Sequence, residues 1–164
     1  MIDKIFSVSG LFIGSQLPVF MQQYQQRLSG HVNELNQITT QLQFLAAHSG
    51  KTLDQYVNKF LGSADPDFHS QGEFMQALVV RANELAQALQ SLVQAPIWGR
   101  FYFFVKDLNH SIYQETWGSF SPGLNLTLEG FAYAGAGMLT GWALYRLMRR
   151  FFKASMRRFE KPAH

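Results

Sequence analysis

Residues 128–148 read LEGFAYAGAGMLTGWALYRLM, and the basic run RRFFKASMRRFEK follows at 149–161. The apolar stretch is 21 residues long, or ~31 Å as a helix. The hydrocarbon core of a bilayer is ~30 Å thick. Charge appears only toward its ends, as Glu129 and Arg146. This pattern predicts a transmembrane helix over residues 127–148, capped by Thr127, with its cationic flank in the cytoplasm. The chain therefore reads as a membrane protein, and the remaining segments have to fit that frame.

A second apolar stretch stands near the amino end. Ile5–Met21 (IFSVSGLFIGSQLPVFM) is 17 residues without a charge, and the neutral run extends to Arg27. That is the low end for a span. A cleaved signal peptide is the rival reading, but Lys4 is balanced by Asp3 and no small-x-small site followed by an obvious mature start is visible. Gln16 and Pro18 are also out of place in a signal core. The expectation is an uncleaved transmembrane helix over residues 5–24, kinked by Pro18. Two spans put residues 1–4 and the tail, 149–164, on the same side. The tail cations make that side the cytoplasm. Residues 25–126 then form a domain on the other side, the periplasm of a bacterium.

Composition agrees with this division. After Tyr145 there are seven Lys/Arg and one acid, whereas residues 22–125 hold six Lys/Arg and eight Asp/Glu. A nucleic-acid binder would carry its basic face on the folded part, so nucleic acid is not an expected partner. There is no cysteine, which excludes disulfides, thiolate metal sites and thiol nucleophiles. Phenylalanine is abundant, at 15 residues, as suits a chain partly solvated by lipid.

The middle of the chain alternates apolar residues at helical spacing. Met21, Tyr24, Leu28, His31, Leu35, Ile38, Leu42 and Leu45 form a heptad seam. The chain breaks at His48-Ser49-Gly50. A short helix opens on the capping box Thr52–Gln55 and ends at Gly62. After a loop at Ser63–Asp67, a second long helix is expected from a box at Ser70–Glu73 to Gln94. Its seam is Met75, Leu78, Ala82, Leu85, Leu89 and Leu92. The two long segments are of similar length, ~36–37 Å, and joined by a compact link, so they predict an antiparallel hairpin. Residues 96–117 follow, rich in Trp, Tyr and Phe. One apolar face runs through Ile97, Phe101, Phe104 or Val105, Leu108 and Ile112. It predicts a helix along the membrane interface or packed into a small bundle.

Several residues are candidates for specific roles. Gly10 and Gly14 form G-x-x-x-G in the first span, and Gly137 and Gly141 repeat it in the second. Gly130 and Ala134 share the spacing. Such pairs allow close helix approach, within the chain or between copies. His31, flanked by Arg27 and Glu34, is a polar site on the seam; His31 and Glu34 would share a helix face as metal ligands, but the facing seam offers none. Asp65–His69 carries possible ligands but reads first as a turn with a helix entry. Arg149, Arg150, Lys153, Arg157 and Arg158 suit lipid headgroups and also set orientation. No nucleophile elbow, phosphate loop or metalloprotease motif occurs. Neither span has a charge at mid-depth, which argues against an ion pathway.

The run Gly14-Ser15-Gln16-Leu17-Pro18-Val19-Phe20, with Gln23, Tyr24 and Arg27, resembles domain-of-unknown-function family 2937. So do Asp65-Pro66-Asp67-Phe68 and Leu126-Thr127-Leu128-Glu129-Gly130. The chain departs from the family's pattern at Asn125, where the motif has proline. The resemblance covers nearly the whole chain. It implies a small two-pass protein of the proteobacterial inner membrane, and it brings no activity, cofactor or catalytic residue.

The expected fold is thus an all-α membrane protein. Two transmembrane helices flank a periplasmic antiparallel helical hairpin with a short linking helix and an aromatic interfacial helix. The expected function is a non-enzymatic interaction protein that uses no cofactor, either a homo-oligomer or an accessory subunit of a larger membrane assembly. Its partners would be the lipid bilayer and itself or another membrane protein. A periplasmic ligand or stress sensor is the alternative. A membrane enzyme or metal-binding protein using His31 and Glu34, or the Asp65–His69 loop, is a further one.

Overall fold

The structure is a computed structural model describing residues 2–123 and 127–159, with backbone alone at 2, 3, 129 and 151–159. Among the described residues there are six helices and no strand: α1 (Ile2–His48), α2 (Leu53–Leu61), α3 (Pro66–Gln94), α4 (Ile97–Lys106), α5 (His110–Gly118) and α6 (Leu128–Phe159). The chain divides into two compact units. The first holds residues 1–23 and 117–164, and the second holds residues 24–116.

Helix ends follow local chemistry. The last carbonyls of α1 are closed by a Schellman pair: Lys51 N–H donates to the Ala46 carbonyl (3.0 Å) and Gly50 N–H to that of Ala47 (2.9 Å). Gly50 has φ 65°, a conformation a β-carbon would disfavour. At the start of α2 the Thr52–Gln55 capping box is formed in both directions. Thr127 Oγ1 accepts from Gly130 N–H (3.1 Å), capping α6.

Three expectations need correction. The second long helix starts at Pro66, not at Ser70. Asp65 Oδ1 accepts from Asp67 N–H (2.9 Å) and Pro66 fills the first turn, a stronger start than Ser-x-x-Glu because proline's fixed φ is already helical. Ser70 instead donates to the Pro66 carbonyl inside the helix (2.9 Å). The turn with a helix entry read at Asp65–His69 is thus the capped start of α3. Residues 96–117 do not form one helix either. The chain leaves α4 at Asp107 and restarts at Asn109, whose Oδ1 caps α5 by accepting from Ile112 N–H (3.2 Å). The seam of α1 also drifts. Val32, not His31, is buried, and Ala46 is 1% exposed where Leu45 is 51% exposed. A straight helix falls behind a seven-residue repeat by ~20° per heptad, so the buried stripe moves forward one position.

The core of the second unit is built from the stripes Tyr24, Leu28, Val32, Leu35 on α1 and Met75, Ala82, Leu85, Leu92 on α3, with Phe104 and Ile112. α2 packs on α3, and α3 on α4. Close contact of α2 with α3 requires Gly72, because a β-carbon there would lie 2.6 Å from Leu61 N. His69 Nδ1 donates to the Leu61 carbonyl (2.6 Å) across the same junction.

One helix among the described residues, α1, is long and apolar enough to cross a membrane. α6 has the length, but its glycines, Tyr133, Thr140 and Trp142 dilute its apolar character.

Candidate functional site

In the first unit α1 and α6 meet backbone to backbone. A β-carbon on Gly10 would collide with the Gly137 carbonyl oxygen, one on Gly137 with the Gly10 carbonyl oxygen, and one on Gly141 with the Phe6 carbonyl oxygen. One on Gly14 would lie 3.0 Å from Gly137 Cα. The two G-x-x-x-G pairs thus face each other within the chain. Glycine removes the bulk that otherwise holds helices 8–10 Å apart. Phe6 and Tyr145 close the seam at one end, their ring centroids 5.7 Å apart. Gly130 is buried at the start of α6. Arg146 stacks over Trp142, 3.9 Å from the ring centroid.

Two glutamines missed as a pair in the sequence lie further along α1. Gln16 Nε2 donates to the Gly123 carbonyl (3.2 Å), and Gly123 N–H donates to Gln16 Oε1 (3.2 Å). Seven residues on, Gln23 repeats the arrangement with Ser121, at 2.8 and 3.3 Å. Each carboxamide presents one donor and one acceptor, as a peptide group does. The two therefore bind the extended Ser121–Gly123 segment as a neighbouring strand would. Their spacing of seven, two helical turns, was the available signal. Between them Phe20 is buried against Trp117 and Phe120, at ring-centroid distances of 5.9 and 5.4 Å.

In the second unit the polar seam site has a different membership from the expected one. Arg27 and His31 converge on Glu115 of α5, at 3.5 and 3.3 Å, and Ser111 Oγ donates to the same carboxylate (3.4 Å). Glu34 is exposed and not part of the cluster. The hydrogen bond from His31 holds the Glu115 carboxyl below the usual glutamate range; desolvation opposes this, and the charges of His31 and Arg27 and the Ser111 bond add to it. Beside the cluster, Tyr24 is 1% exposed. Its hydroxyl accepts from Asn109 N–H (2.9 Å), and its ring meets Phe104 edge-on at 5.1 Å.

The other ligand candidates have structural partners. Asp65 caps α3, and His69 bonds the Leu61 carbonyl and lies 3.5 Å from Glu73. Among the described residues no three His, Asp or Glu side chains converge as a metal site would need. Arg149 and Arg150 are exposed on α6. Lys153, Arg157 and Arg158 lie on its helical backbone, with side chains outside the described atoms, and Asn125 and Leu126 lie outside the described residues.

Among the described residues these arrangements define an all-helical protein whose longest helix carries a glycine packing motif. The chain belongs to the family described as protein of unknown function, DUF2937, whose model matches residues 1–158. No curated protein and no solved structure matches it.

Proposed function

We propose that the chain is a two-span inner-membrane protein of the interaction type, with α1 and α6 crossing together and residues 25–126 forming a periplasmic helical hairpin. The observation that carries this is the contrast within the first unit. The glycine faces of α1 and α6 are closed on each other, while Ile5, Val8, Phe12 and Ile13 on α1 and Phe131, Leu139 and Leu144 on α6 are exposed. An apolar surface of this extent is at home in hydrocarbon and costly in water. The backbone contact of α6 with α1, the helix apolar enough to span, supports its crossing as well, despite its diluted apolar character. The buried seam has no charge to move, which favours anchoring over transport.

The second unit supplies the surface for association, with itself or with another membrane protein. A sensor role is the second reading, favoured by the ionisable trio Arg27, His31 and Glu115. Reporter fusions after Gly62 and after Ala163 test the topology, and opposite sides of the membrane are expected. Both reporters on one side would refute two spans. Native mass of the complex, extracted in mild detergent with its components identified, then separates a homo-oligomer from an accessory subunit; a lone monomer would refute the interaction role.

A further inference from the structure

α4 carries a broad apolar arc that is buried only at one edge. Phe104 is buried against Tyr24. Ile97, Trp98, Phe101, Tyr102 and Val105 are all exposed, Trp98 at 87% and Tyr102 at 62%. At 100° per residue these five occupy one arc of about 140°, with no charge inside it. Lys106 borders the arc beside Tyr102. Among the described residues, packing buries Phe104 and leaves these five side chains exposed.

The place where α4 docks says what they meet. α4 is held at Tyr24 by the Phe104 ring, and the chain just after it by the Asn109 N–H bond to the Tyr24 hydroxyl. Tyr24 is three residues past Met21, the end of the apolar stretch of α1. That is ~4.5 Å along the helix. After Lys4 the next charge on α1 is Arg27, one turn beyond Tyr24. If α1 spans as proposed, Tyr24 lies at the boundary between hydrocarbon and headgroups, and α4 is tied to that depth. The composition of the face agrees: Trp and Tyr prefer this boundary.

We infer that α4 is an interfacial lipid-binding helix, which lays Trp98, Phe101, Tyr102 and Val105 into the headgroup–acyl boundary of the bilayer that α1 crosses. This rests on the spanning role of α1, and the test separates the two.

The chain has no cysteine, so single spin labels can be placed on the full-length protein in phosphatidylethanolamine–phosphatidylglycerol vesicles. The sites are Phe101→Cys and Tyr102→Cys on α4, Phe12→Cys on the exposed face of the span, and Gln114→Cys on exposed α5, with helicity checked for each. Expected is a collision rate with oxygen severalfold above that with a water-soluble nickel chelate at 101, 102 and 12, and the reverse at 114. Oxygen preference at 12 with nickel preference at 101 and 102 overturns the α4 inference and leaves the span intact. Nickel preference at 12 overturns both. Shielding of 101 and 102 from both reagents, with spin–spin broadening that disappears on dilution with unlabelled protein, means that a second copy covers the face, and also overturns the inference.

Discussion

Single residues decide how closely the helices approach. Gly137 faces both Gly10 and Gly14, so no side chain fits there without moving a backbone. Gly137→Leu is expected to destabilise the α1–α6 pair by at least about 1–3 kcal/mol, the usual cost of overpacking, read as equilibrium unfolding in mixed micelles. Leu28, 1% exposed in the core of the other unit, should cost about 2–5 kcal/mol on Leu28→Ala. Glu115 makes a different, pH-dependent contribution. Its carboxyl is held low in the folded state by His31 first and Arg27 after it. The folded state therefore binds that proton less readily than the unfolded chain. The stabilisation is present above the ordinary glutamate range and is lost as the pH falls through the depressed value. Because the carboxylate is exposed, Glu115→Gln should lower Tm at neutral pH by only a degree or two, on the order expected of a surface pair. The difference from the parent should close in acid, and a difference that persists there would refute the assignment.

At the level of the element, caps outweigh periodicity in setting boundaries. α3 starts where Asp65 and Pro66 satisfy and pre-shape its first turn, although Ser70 and Glu73 have the spacing of a capping box. Asp65→Ala should cost about 1 kcal/mol in thermal unfolding. Ser70→Ala removes no cap and should stay within about 0.5 kcal/mol; the reverse ranking would place the start at Ser70. Likewise the apolar face running through residues 97–112 suggests one helix, yet Asn109 ends that continuity. Its side chain caps α5 while its N–H is taken by Tyr24, 85 positions away. The periodicity on either side was legible. The break was not, because half of what stabilises it comes from a distant residue. The glutamine pairs of α1 are a similar case: Gln16 and Gln23 look like polar intrusions until the Ser121–Gly123 backbone lies beside them.

For the whole molecule, the glycine seam bears on assembly. Since Gly10 and Gly14 meet Gly137 and Gly141 of the same chain, these faces are already occupied and association between copies must use other surface. A chain carrying Phe6→Cys with Tyr145→Cys, where the rings are 5.7 Å apart, should oxidise to an intramolecular cross-link with monomer mobility. A cross-linked dimer would move the seam to an interface between copies.

Sequence alone determined that the chain is helical, that its apolar residues gather into an apolar stretch near each end and two amphipathic segments between, and that four glycines stand one turn apart in pairs. These follow from local periodicity and composition, which neighbours in the chain express without help. Which glycines face each other, the choice of Glu115 over Glu34 as the partner of His31, the drift of the buried stripe from Leu45 to Ala46, and the exposed apolar arc of α4 were decided only by tertiary structure. Each depends on segments distant in sequence. A helical surface offers several neighbouring residues to any approaching group, and only the packed geometry selects among them.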